Sequence, residues 1–299
     1  MISLKSSSTA LMKGIAVLIT GGAGFIGSHL AEQLVQAGAQ VTILDNLSTG
    51  SLDNIAAVAH AIRFIHGDIR DHEALETAMQ GQEIIFHCAA YTSVAWCEEN
   101  PADAFAVNVT STLAILQMAV KHGCKRVIFS SSAAVYGLSN MPCVETQLCN
   151  PISVYGYSKL IGEQLCTWFT QTYGIVTVAL RYFNVYGPRM HSNVVARFRY
   201  AMEHNEPITL YGTGMQVRDF VLVTQVVQAN CVVACADAHL VSGQQFNVAT
   251  GSSISLLQLL DQLKQEFPAY AVPIQVEPAR AGDIDQSYAD CSKWQRVMS

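Results

Sequence analysis

The chain has 299 residues, a hydrophobic content of 51% and a formal net charge of −6 at pH 7. This negative charge excludes the basic surface typical of nucleic-acid-binding proteins, and no apolar stretch of the sequence looks long enough to span a bilayer, so we predict neither nucleic-acid nor membrane partners. Nine cysteines without a Cys-x-x-Cys pair favour reduced thiols in the cytoplasm over disulfides or a metal site.

The N-terminal part begins with residues 1–13, which include three consecutive serines and are predicted to be a disordered leader. An apolar strand at 15–20, a glycine turn at 21–27 and a helix at 26–37 follow. We interpret Gly22-x-Gly24-x-x-Gly27 as a dinucleotide-binding turn. Its backbone N–H groups and the start of the helix suit a pyrophosphate.

The second and third strands are predicted at 41–44 and 63–66. Asp45 ends the second strand at roughly the 20-residue offset of an acid that binds the adenosine ribose. An anion there repels a 2′-phosphate, which favours NAD over NADP. Asp68 and Ile69 follow the third strand as candidates for the adenine edge, and capping of the next helix by Asp68 is an equally good interpretation.

Further strands are predicted at 84–87, 127–129 and 176–181, with helices at 72–79, 101–121 and 155–173 between them. This alternation predicts an α/β fold, a doubly wound parallel-sheet Rossmann domain with a smaller mixed α/β substrate lobe. We assign 14–182 to the NAD-binding domain, with returning segments near 220–248 that include a helix at 223–236 and a strand at 245–248. The substrate lobe takes 183–219 and 249–299, where proline and glycine interrupt the alternation.

A possible catalytic group lies after the strand at 127–129. Ser132 follows that strand, at the sheet edge where α/β proteins bind ligands, while Tyr155 and Lys159 share one face of the next helix. A hydroxyl, a phenol and an ammonium beside a dinucleotide site indicate nicotinamide chemistry. His87, at the end of the fourth strand, is interpreted as a buried structural histidine.

The chain resembles the extended short-chain dehydrogenase/reductase family, and within it the UDP-hexose 4-epimerases. The resemblance rests on TGGAGFIGSHL, SSSAAVYG, YGYSK, LRYFNVYGPR, YGTGMQVRDF, FNVATG and ARAGDIDQSYADCSK, in that order over residues 14–296. It implies an NAD-dependent sugar-nucleotide 4-epimerase that oxidises C4 to a ketone and reduces it from the other face. Other activities of the same scaffold, such as a uronic acid 4-epimerase, a dehydrogenase or a dehydratase, stay open, as does a non-catalytic NAD-binding regulator.

By that resemblance Tyr155 is the acid/base, Lys159 holds the nicotinamide ribose and Ser132 hydrogen-bonds the reacting hydroxyl. The resemblance also implies a set of cofactor contacts: Gly21, Gly24, Phe25, Ile26, Gly27, Asp45, Asn46, Ser48, Thr49, Gly50, Asp68, Ile69, Ala89, Ala90, Asn108, Tyr155, Lys159 and Tyr182. The implied UDP-sugar contacts are Ser93, Ser132, Asn184, Asn193, Val194, Tyr211, Arg218, Arg280, Asp283 and Ser287.

Two positions narrow the branch of the family. Ala133 and Ala134 stand where 4,6-dehydratases have an Asp-Glu pair, so elimination is disfavoured. Ser287 aligns with a gatekeeper position, where a small residue admits a 2-acetamido group. We therefore expect UDP-GlcNAc and UDP-GalNAc to be substrates.

Relatives dimerise through two helices, here 101–121 and 155–173, and usually continue with another helix beyond ADCSK.

Overall fold

The computed structural model describes residues 11–139, 142–279 and 284–298. The strands within these residues are β1 Ala16–Thr20, β2 Gln40–Asp45, β3 Ile62–His66, β4 Ile84–His87, β5 Arg126–Ser132, β6 Val176–Tyr182, β7 Asn184–Tyr186, β8 Thr209–Tyr211, β9 Val217–Arg218, β10 Phe220–Leu222, β11 Gln244–Val248, β12 Ile254–Ser255, β13 Gln275–Glu277 and β14 Gln286–Ser287.

The α-helices of the same residues are α1 Phe25–Gln36, α2 His72–Met79, α3 Val94–Glu99, α4 Pro101–Phe105, α5 Ser111–Lys121, α6 Val154–Tyr173, α7 Val194–Glu203, α8 Val223–Cys235, α9 Ala238–Val241, α10 Leu256–Glu266 and α11 Ser292–Met298. Two 3₁₀ segments, Leu52–Ala61 and Ala133–Tyr136, and one π-helical turn, Ala106–Thr110, complete the regular structure of the described chain.

One parallel sheet of seven strands, in the order β3-β2-β1-β4-β5-β6-β11, forms the centre of the described structure. After β1 the chain adds β2 and β3 on one side of β1, and it then crosses back to add β4 on the other side. A crevice for a ligand forms at the carboxyl ends of such strands, where the order reverses. The predicted α/β, doubly wound fold is confirmed.

Both faces of the sheet are covered by apolar residues. Val17 and Ile19 of β1 pack in one buried cluster with residues of α1 and α8, whereas Leu18 points to a second cluster with Ile115 of α5 and Phe169 of α6. Successive side chains of a strand alternate between the faces. The near-continuous apolar runs of β1 and β2 are therefore the pattern of strands buried on both sides.

A third apolar cluster lies outside the central sheet, where α7, β8 and α10 contribute Val195, Leu210 and Leu260. Small sheets flank it: β10 with β7, β12 and β14 on either side of β9, and β13 with β8. Apart from β10, which falls in the returning segment, these elements come from both segments that the sequence assigns to the substrate lobe. The residue limits of the two domains stay a prediction.

The structure corrects the predicted leader and adds a helix to the C-terminal part. Met12 falls within the predicted disordered leader, but its side chain is 1% exposed and packs in the first core cluster. The helix α11 extends over Ser292–Met298, beginning within the ADCSK segment, and its Trp294 packs edge-on against Phe246 of β11. Both apolar side chains gain free energy by leaving water for the core, which explains why these segments are ordered.

The helix predicted at 101–121 is continuous in direction but divides into α4, the π-helical turn and α5. In the described residues this run, Pro101–Lys121, is long and apolar enough to cross a membrane by length and composition, with a mean hydropathy of 1.3 over its most apolar window. The prediction that no segment reaches that length was therefore wrong. Half of that window is buried inside the protein, as in a core helix.

Candidate active site

The glycine turn joins β1 to α1. Gly21 has a φ of +70°, and a Cβ there would lie 2.7 Å from the backbone nitrogen of Ala89 after β4. A Cβ at Gly27 would lie 2.2 Å from the Gly21 carbonyl oxygen. Close backbone packing therefore leaves no room for a side chain at Gly21 and Gly27. A Cβ at the predicted Gly22 would lie 2.6 Å from Ile43 Cγ2, and one at Gly24 would lie 3.2 Å from the Gly21 carbonyl oxygen, so glycine fits each position of the turn.

The start of α1 suits an anion. Gly24 is the N-cap and provides no side-chain cap, so the N–H groups of the first turn, at Phe25, Ile26 and Gly27, receive no bond from a capping side chain. Free N–H groups and the positive end of the helix dipole bind phosphate groups well. The glycine turn and α1 thus fit the pyrophosphate of a dinucleotide.

Asp45 lies at the end of β2 and is 7% exposed. Its carboxylate accepts bonds from the backbone nitrogens of Ala23, at 2.9 Å, and Leu47, at 2.8 Å. A carboxylate can accept about four hydrogen bonds, which leaves capacity for two ribose hydroxyls. The segment of Asn46, Ser48, Thr49 and Gly50 folds onto the glycine turn, because a Cβ at Gly50 would lie 2.9 Å from the Ala23 carbonyl carbon.

Asp68 follows β3 and does not cap the next helix. The N-cap of α2 is Asp71, which accepts from the backbone nitrogens of Glu73 and Ala74, so the capping interpretation of Asp68 was wrong. Asp68 accepts bonds from Asn46 Nδ2 at 2.7 Å and from Arg70 Nη2 at 2.8 Å. The Arg70 side chain is the main reason why its pKa falls to about 2. Ile69 is buried in the second core cluster.

Ala89 and Ala90 follow β4 and are half-buried beside the glycine turn. Asn108 lies beneath the same loop in the π-helical turn and is 1% exposed. Its amide bonds to the backbone N and O of Tyr91, both at 2.9 Å, and to Ser158 Oγ at 3.1 Å. Since these bonds occupy most of the amide, we expect Asn108 to fix the shape of the site and not to contact the cofactor directly.

The three predicted catalytic side chains meet at the carboxyl end of β5. The Ser132 hydroxyl faces the Tyr155 phenol and acts to lower its pKa. Ser132 Oγ also accepts from the Ala134 backbone nitrogen at 3.1 Å. One turn further along α6, the Lys159 ammonium donates to the Ser130 carbonyl at 2.9 Å and lies 5.8 Å from the centre of the Tyr155 ring. The sequence prediction of this arrangement agrees with the geometry.

Burial sets the electrostatics of this group. It raises the pKa of Tyr155 to about 12, against the lowering effect of the Ser132 hydroxyl. It also lowers the pKa of Lys159 to about 8. Both shifts favour the neutral forms. A Tyr155 phenolate therefore requires additional positive charge, of the kind that an oxidised nicotinamide ring provides.

Two more predicted residues lie below the site. His87 is 2% exposed and its ring nitrogens contact Thr20 Oγ1 at 2.8 Å and Thr112 Oγ1 at 2.9 Å, which is the buried structural role that the sequence predicted. The Tyr182 hydroxyl accepts from Asn230 Nδ2 at 2.8 Å and contacts Ser130 Oγ at 3.3 Å. The Tyr182 hydroxyl is therefore already hydrogen-bonded within the protein.

The predicted substrate contacts are distributed over several elements. Ser93 is the exposed N-cap of α3, and Asn193 is the N-cap of α7, directly before Val194. Asn184, on β7, donates to the Asp219 carbonyl at 3.1 Å. Tyr211 ends β8. Arg218 on β9 is the register partner of Ser287 on β14. Arg280 and Asp283 lie outside the described residues.

A cleft of about 880 Å³ opens between α7 and the loop before it, and its lining includes Tyr186, Arg189, Asn193, Arg197 and Thr209. Of the predicted substrate contacts, Asn193 lies in this lining. Ser132, Tyr155 and Lys159 do not line it. The described residues contain no group of three or more histidine, cysteine or acidic side chains placed to hold a metal ion.

Known proteins match this architecture over most of the chain. The family described as NAD dependent epimerase/dehydratase matches residues 17–249. A putative UDP-glucose 4-epimerase of Methanocaldococcus jannaschii is 37% identical over 284 residues, which cover 93% of this chain and 90% of the relative. The chain belongs to the NAD dependent epimerase/dehydratase family. It is an enzyme, an epimerase of the extended short-chain dehydrogenase/reductase type.

Solved structures support the same assignment. The UDP-N-acetylglucosamine 4-epimerase of Methanobrevibacter ruminantium M1, in complex with UDP-N-acetylmuramic acid, has a TM-score of 0.91 and 34% identity, covering 96% of the enzyme and 93% of that chain. The UDP-glucose 4-epimerase of Thermus thermophilus, in complex with NAD, has a TM-score of 0.85 and 33% identity, covering 95% and 94%. NAD is the cofactor of the enzyme, and the glycine turn, α1 and Asp45 provide the residues that would hold it.

Sequence reasoning missed three charged residues of the enzyme. Glu163 and Arg181 form a buried ion pair at 2.7 Å between α6 and β6. Asp219, which is fully buried, accepts from Thr250 Oγ1 at 2.7 Å and from the Gly251 nitrogen at 2.9 Å, and so links β9 to the loop after β11. One feature of the sequence could have revealed the ion pair. Arg181 lies inside the otherwise apolar strand at 176–182, and a buried charge requires a partner.

Proposed function

We propose that the enzyme inverts C4 of a UDP-hexose through a transient 4-keto sugar, and that UDP-GlcNAc and UDP-GalNAc are among its substrates. The observation that carries the proposal is the meeting of Ser132, Tyr155 and Lys159 at the carboxyl end of β5, beside the glycine turn, with the Lys159 ammonium 5.8 Å from the centre of the Tyr155 ring. The UDP-sugars named for its relatives support the nucleotide part.

Each side chain has one task in this proposal. NAD, when bound, supplies hydride acceptance and return at the sugar carbon, which no side chain can provide. Tyr155 takes the proton of the C4 hydroxyl and later gives it back, and Ser132 holds that hydroxyl by a hydrogen bond. Lys159, fixed by the Ser130 carbonyl, orients the ribose next to the nicotinamide and adds positive charge near the phenol.

The residues next to Ser132 disfavour elimination of water. Ala133 and Ala134 begin a 3₁₀ turn, and the Ala134 nitrogen donates to Ser132 Oγ. Their methyl groups cannot transfer protons, so the 4-keto sugar has no acid and base at these positions to lose water at C5 and C6. Reduction of the ketone from its other face is the step that remains available.

The substrate lobe supports a sugar nucleotide with a 2-acetamido group. Arg218 and Ser287 are neighbours on paired strands. We assign the Arg218 guanidinium to the diphosphate, so residue 287 lies next to the proposed sugar-nucleotide site, where its size limits the space for the sugar. Ser287 is small and half-buried. Asn184, Asn193, Val194 and Tyr211 are proposed to contact the sugar nucleotide from β7, α7 and β8, and Arg280 and Asp283 complete the proposed set.

A panel of UDP-sugars tests the proposal. The purified enzyme is incubated with UDP-glucose, UDP-galactose, UDP-GlcNAc, UDP-GalNAc and UDP-glucuronic acid, and the products are separated by chromatography. We expect each N-acetyl sugar to convert into its C4 epimer and a C4 deuterium label to stay in the product. Turnover of UDP-glucose alone, or label lost to solvent, would contradict the proposal.

The variant Ser287→Tyr sharpens this test, because a phenol ring fills the space that a 2-acetamido group requires. We expect N-acetyl turnover to fall by about a hundredfold while UDP-glucose turnover stays within about threefold. UDP-glucose is the internal control for folding and cofactor content. An equal loss for both sugar pairs would remove Ser287 from the assignment of specificity.

We further propose a homodimer and a cytoplasmic location. The helical run 101–121 packs along α6, and Phe105 and Tyr157 on these two helices are 37% and 49% exposed. Two adjacent helices with exposed aromatic residues can form a four-helix bundle with a second copy. All nine cysteines are free thiols, which supports a reducing compartment.

A further inference from the structure

Glu163 connects the helix that carries Tyr155 and Lys159 to the strand that carries Ser132. It lies one turn after Lys159 on α6 and is 3% exposed. Its Oε1 accepts from Ser131 Oγ at 2.5 Å and from Arg181 Nε at 2.9 Å, and its Oε2 accepts from Arg181 Nη2 at 2.7 Å. One carboxylate therefore bonds to both β5 and β6.

Three successive residues of β5 face α6. The Ser130 carbonyl accepts from Lys159 and the Ser131 hydroxyl donates to Glu163, while the Ser132 hydroxyl faces the Tyr155 phenol. The bond between Ser131 and Glu163 takes part in no proposed chemical step. It holds the strand in place between Ser130, which fixes Lys159, and Ser132.

The ion pair itself is held rigidly. Arg181 Nη1 donates to the Tyr136 hydroxyl at 2.9 Å, which donates to Asn247 Oδ1 at 2.6 Å. Apolar residues of similar volume often stabilise a core at least as well as a buried ion pair, so stability alone does not explain this one. A rigid, directional connection is what a charged network adds and an apolar contact lacks.

Glu163 also acts on Lys159 through its charge. Burial lowers the pKa of Lys159, and the negative charge of Glu163 opposes that effect. The titratable groups that face Lys159 are His87, Cys88, Cys97, Tyr155, Glu163 and Cys166. Of these groups, Glu163 is the only carboxylate, and its charge, although paired with Arg181, opposes the loss of the Lys159 proton.

We propose that Glu163 is a positioning residue of the reaction, which through Ser131 holds Ser132 and Tyr155 at their working separation and places a negative charge beside Lys159. This inference rests on the proposed roles of Ser132, Tyr155 and Lys159. Glu163 touches neither substrate nor cofactor in this assignment and acts through its neighbours.

Two variants separate the two proposed effects of Glu163, its connection to β5 through Ser131 and its negative charge beside Lys159. Ser131→Ala removes the connection to β5 and leaves the ion pair, and Glu163→Gln removes the charge. We expect Ser131→Ala to lower kcat by about tenfold with KM within about twofold, since small misplacements of reacting groups are costly. We expect Glu163→Gln to lower kcat further and to move the high-pH limb of the kcat profile to lower pH, because Lys159 loses its proton more easily.

Thr170→Val is the matched control, because Thr170 bonds α6 to Thr177 of β6 at 2.8 Å, far along the helix from Tyr155. Activity is measured with UDP-glucose and UDP-GlcNAc, and bound NAD is measured in each purified variant. The inference requires parental NAD content with reduced kcat. Parental kcat and pH profile in both variants, or losses that only follow NAD content and match those of Thr170→Val, would overturn it.

Tyr155→Phe keeps this inference separable from the proposed function. If Tyr155→Phe abolishes turnover while Ser131→Ala and Glu163→Gln do not change it, the positioning role is wrong and the proposed base stands. If Tyr155→Phe turns over sugar at the parental rate, the proposed function itself is wrong.

Discussion

At the scale of single residues, contacts distinguish a titratable group that holds the structure from one that is free to take part in the proposed reaction. His87 and Tyr155 both lie under the same sheet edge. His87 is bonded on both ring nitrogens by Thr20 and Thr112, and burial lowers its pKa to about 3. Tyr155 reaches Ser132 instead. The sequence indicated both roles, but only the contacts show that His87 has no free nitrogen for catalysis.

The lowered pKa of His87 predicts how the stability of the folded protein changes with pH. Its pKa is about 3 in the folded protein and about 6.5 in the unfolded chain, so the unfolded state binds the extra proton first as pH falls. Stability from the neutral ring is complete above about pH 6.5 and is lost progressively below it, by up to about 1.4 kcal/mol per pH unit. Urea unfolding between pH 7 and pH 5 measures this slope.

The control for this slope is a histidine on the surface. We expect His87→Gln to be less stable at pH 7 but to lose less stability on acidification than the parent, whereas His60→Gln, at an exposed position, keeps the parental slope. Identical slopes in all three proteins would show that His87 does not contribute to the acid sensitivity.

At the scale of elements, backbone packing determines the cofactor site. The turn between β1 and α1 brings Gly21 against Ala89 and Gly27 against Gly21, at distances that no side chain allows. The same turn receives the loop of Gly50 and the carboxylate of Asp45. The site for NAD is therefore a property of how four segments meet, with few side chains involved.

The variant Gly27→Ala tests this packing. A Cβ 2.2 Å from the Gly21 carbonyl oxygen must displace the turn, so we expect NAD retained after purification to fall by at least about tenfold. Absorbance and nucleotide extraction measure it. Gly123→Ala is the control: its φ of +69° disfavours alanine, but nothing lies within 4 Å of the added methyl group. Equal NAD content in both variants would contradict the packing argument.

At the scale of the whole molecule, the helical run 101–121 and α6 have two faces with different roles. Their inner residues, including Ile115 and Phe169, pack in the second core cluster. Their outer residues include the exposed Phe105 and Tyr157. An exposed aromatic surface on paired helices is more consistent with an interface than with a solvated face. This supports the proposed dimer.

The double variant Phe105→Lys with Tyr157→Lys tests the dimer. Charges introduced on both helices are expected to shift the protein from dimer to monomer at micromolar concentration, with a loss of at least about tenfold in association. Sedimentation or light scattering measures the mass. Leu240→Lys, which changes an apolar residue that is 39% exposed on α9, is the control and stays dimeric. A parental protein that sediments as a monomer would refute the proposal.

The sequence by itself predicted the alternation of strands and helices of the central sheet, the NAD cofactor and the grouping of Ser132, Tyr155 and Lys159, whose catalytic roles stay a proposal. These follow from local patterns: apolar periodicity, the glycine turn, an acid after β2 and a spacing of one helical turn. The sequence did not indicate α11 or the burial of Met12 and left the role of Asp68 open, because those outcomes depend on which segments pack together.

Only the tertiary structure decided how the charged residues outside the motifs are used. Glu163 and Arg181 lie 18 residues apart and Asp219 and Thr250 lie 31 apart, so no local pattern pairs them. A buried charge must find a partner wherever the fold supplies one. The grouping of the proposed catalytic residues could thus be predicted from short-range spacing, whereas the network that holds them in place exists only once distant strands meet.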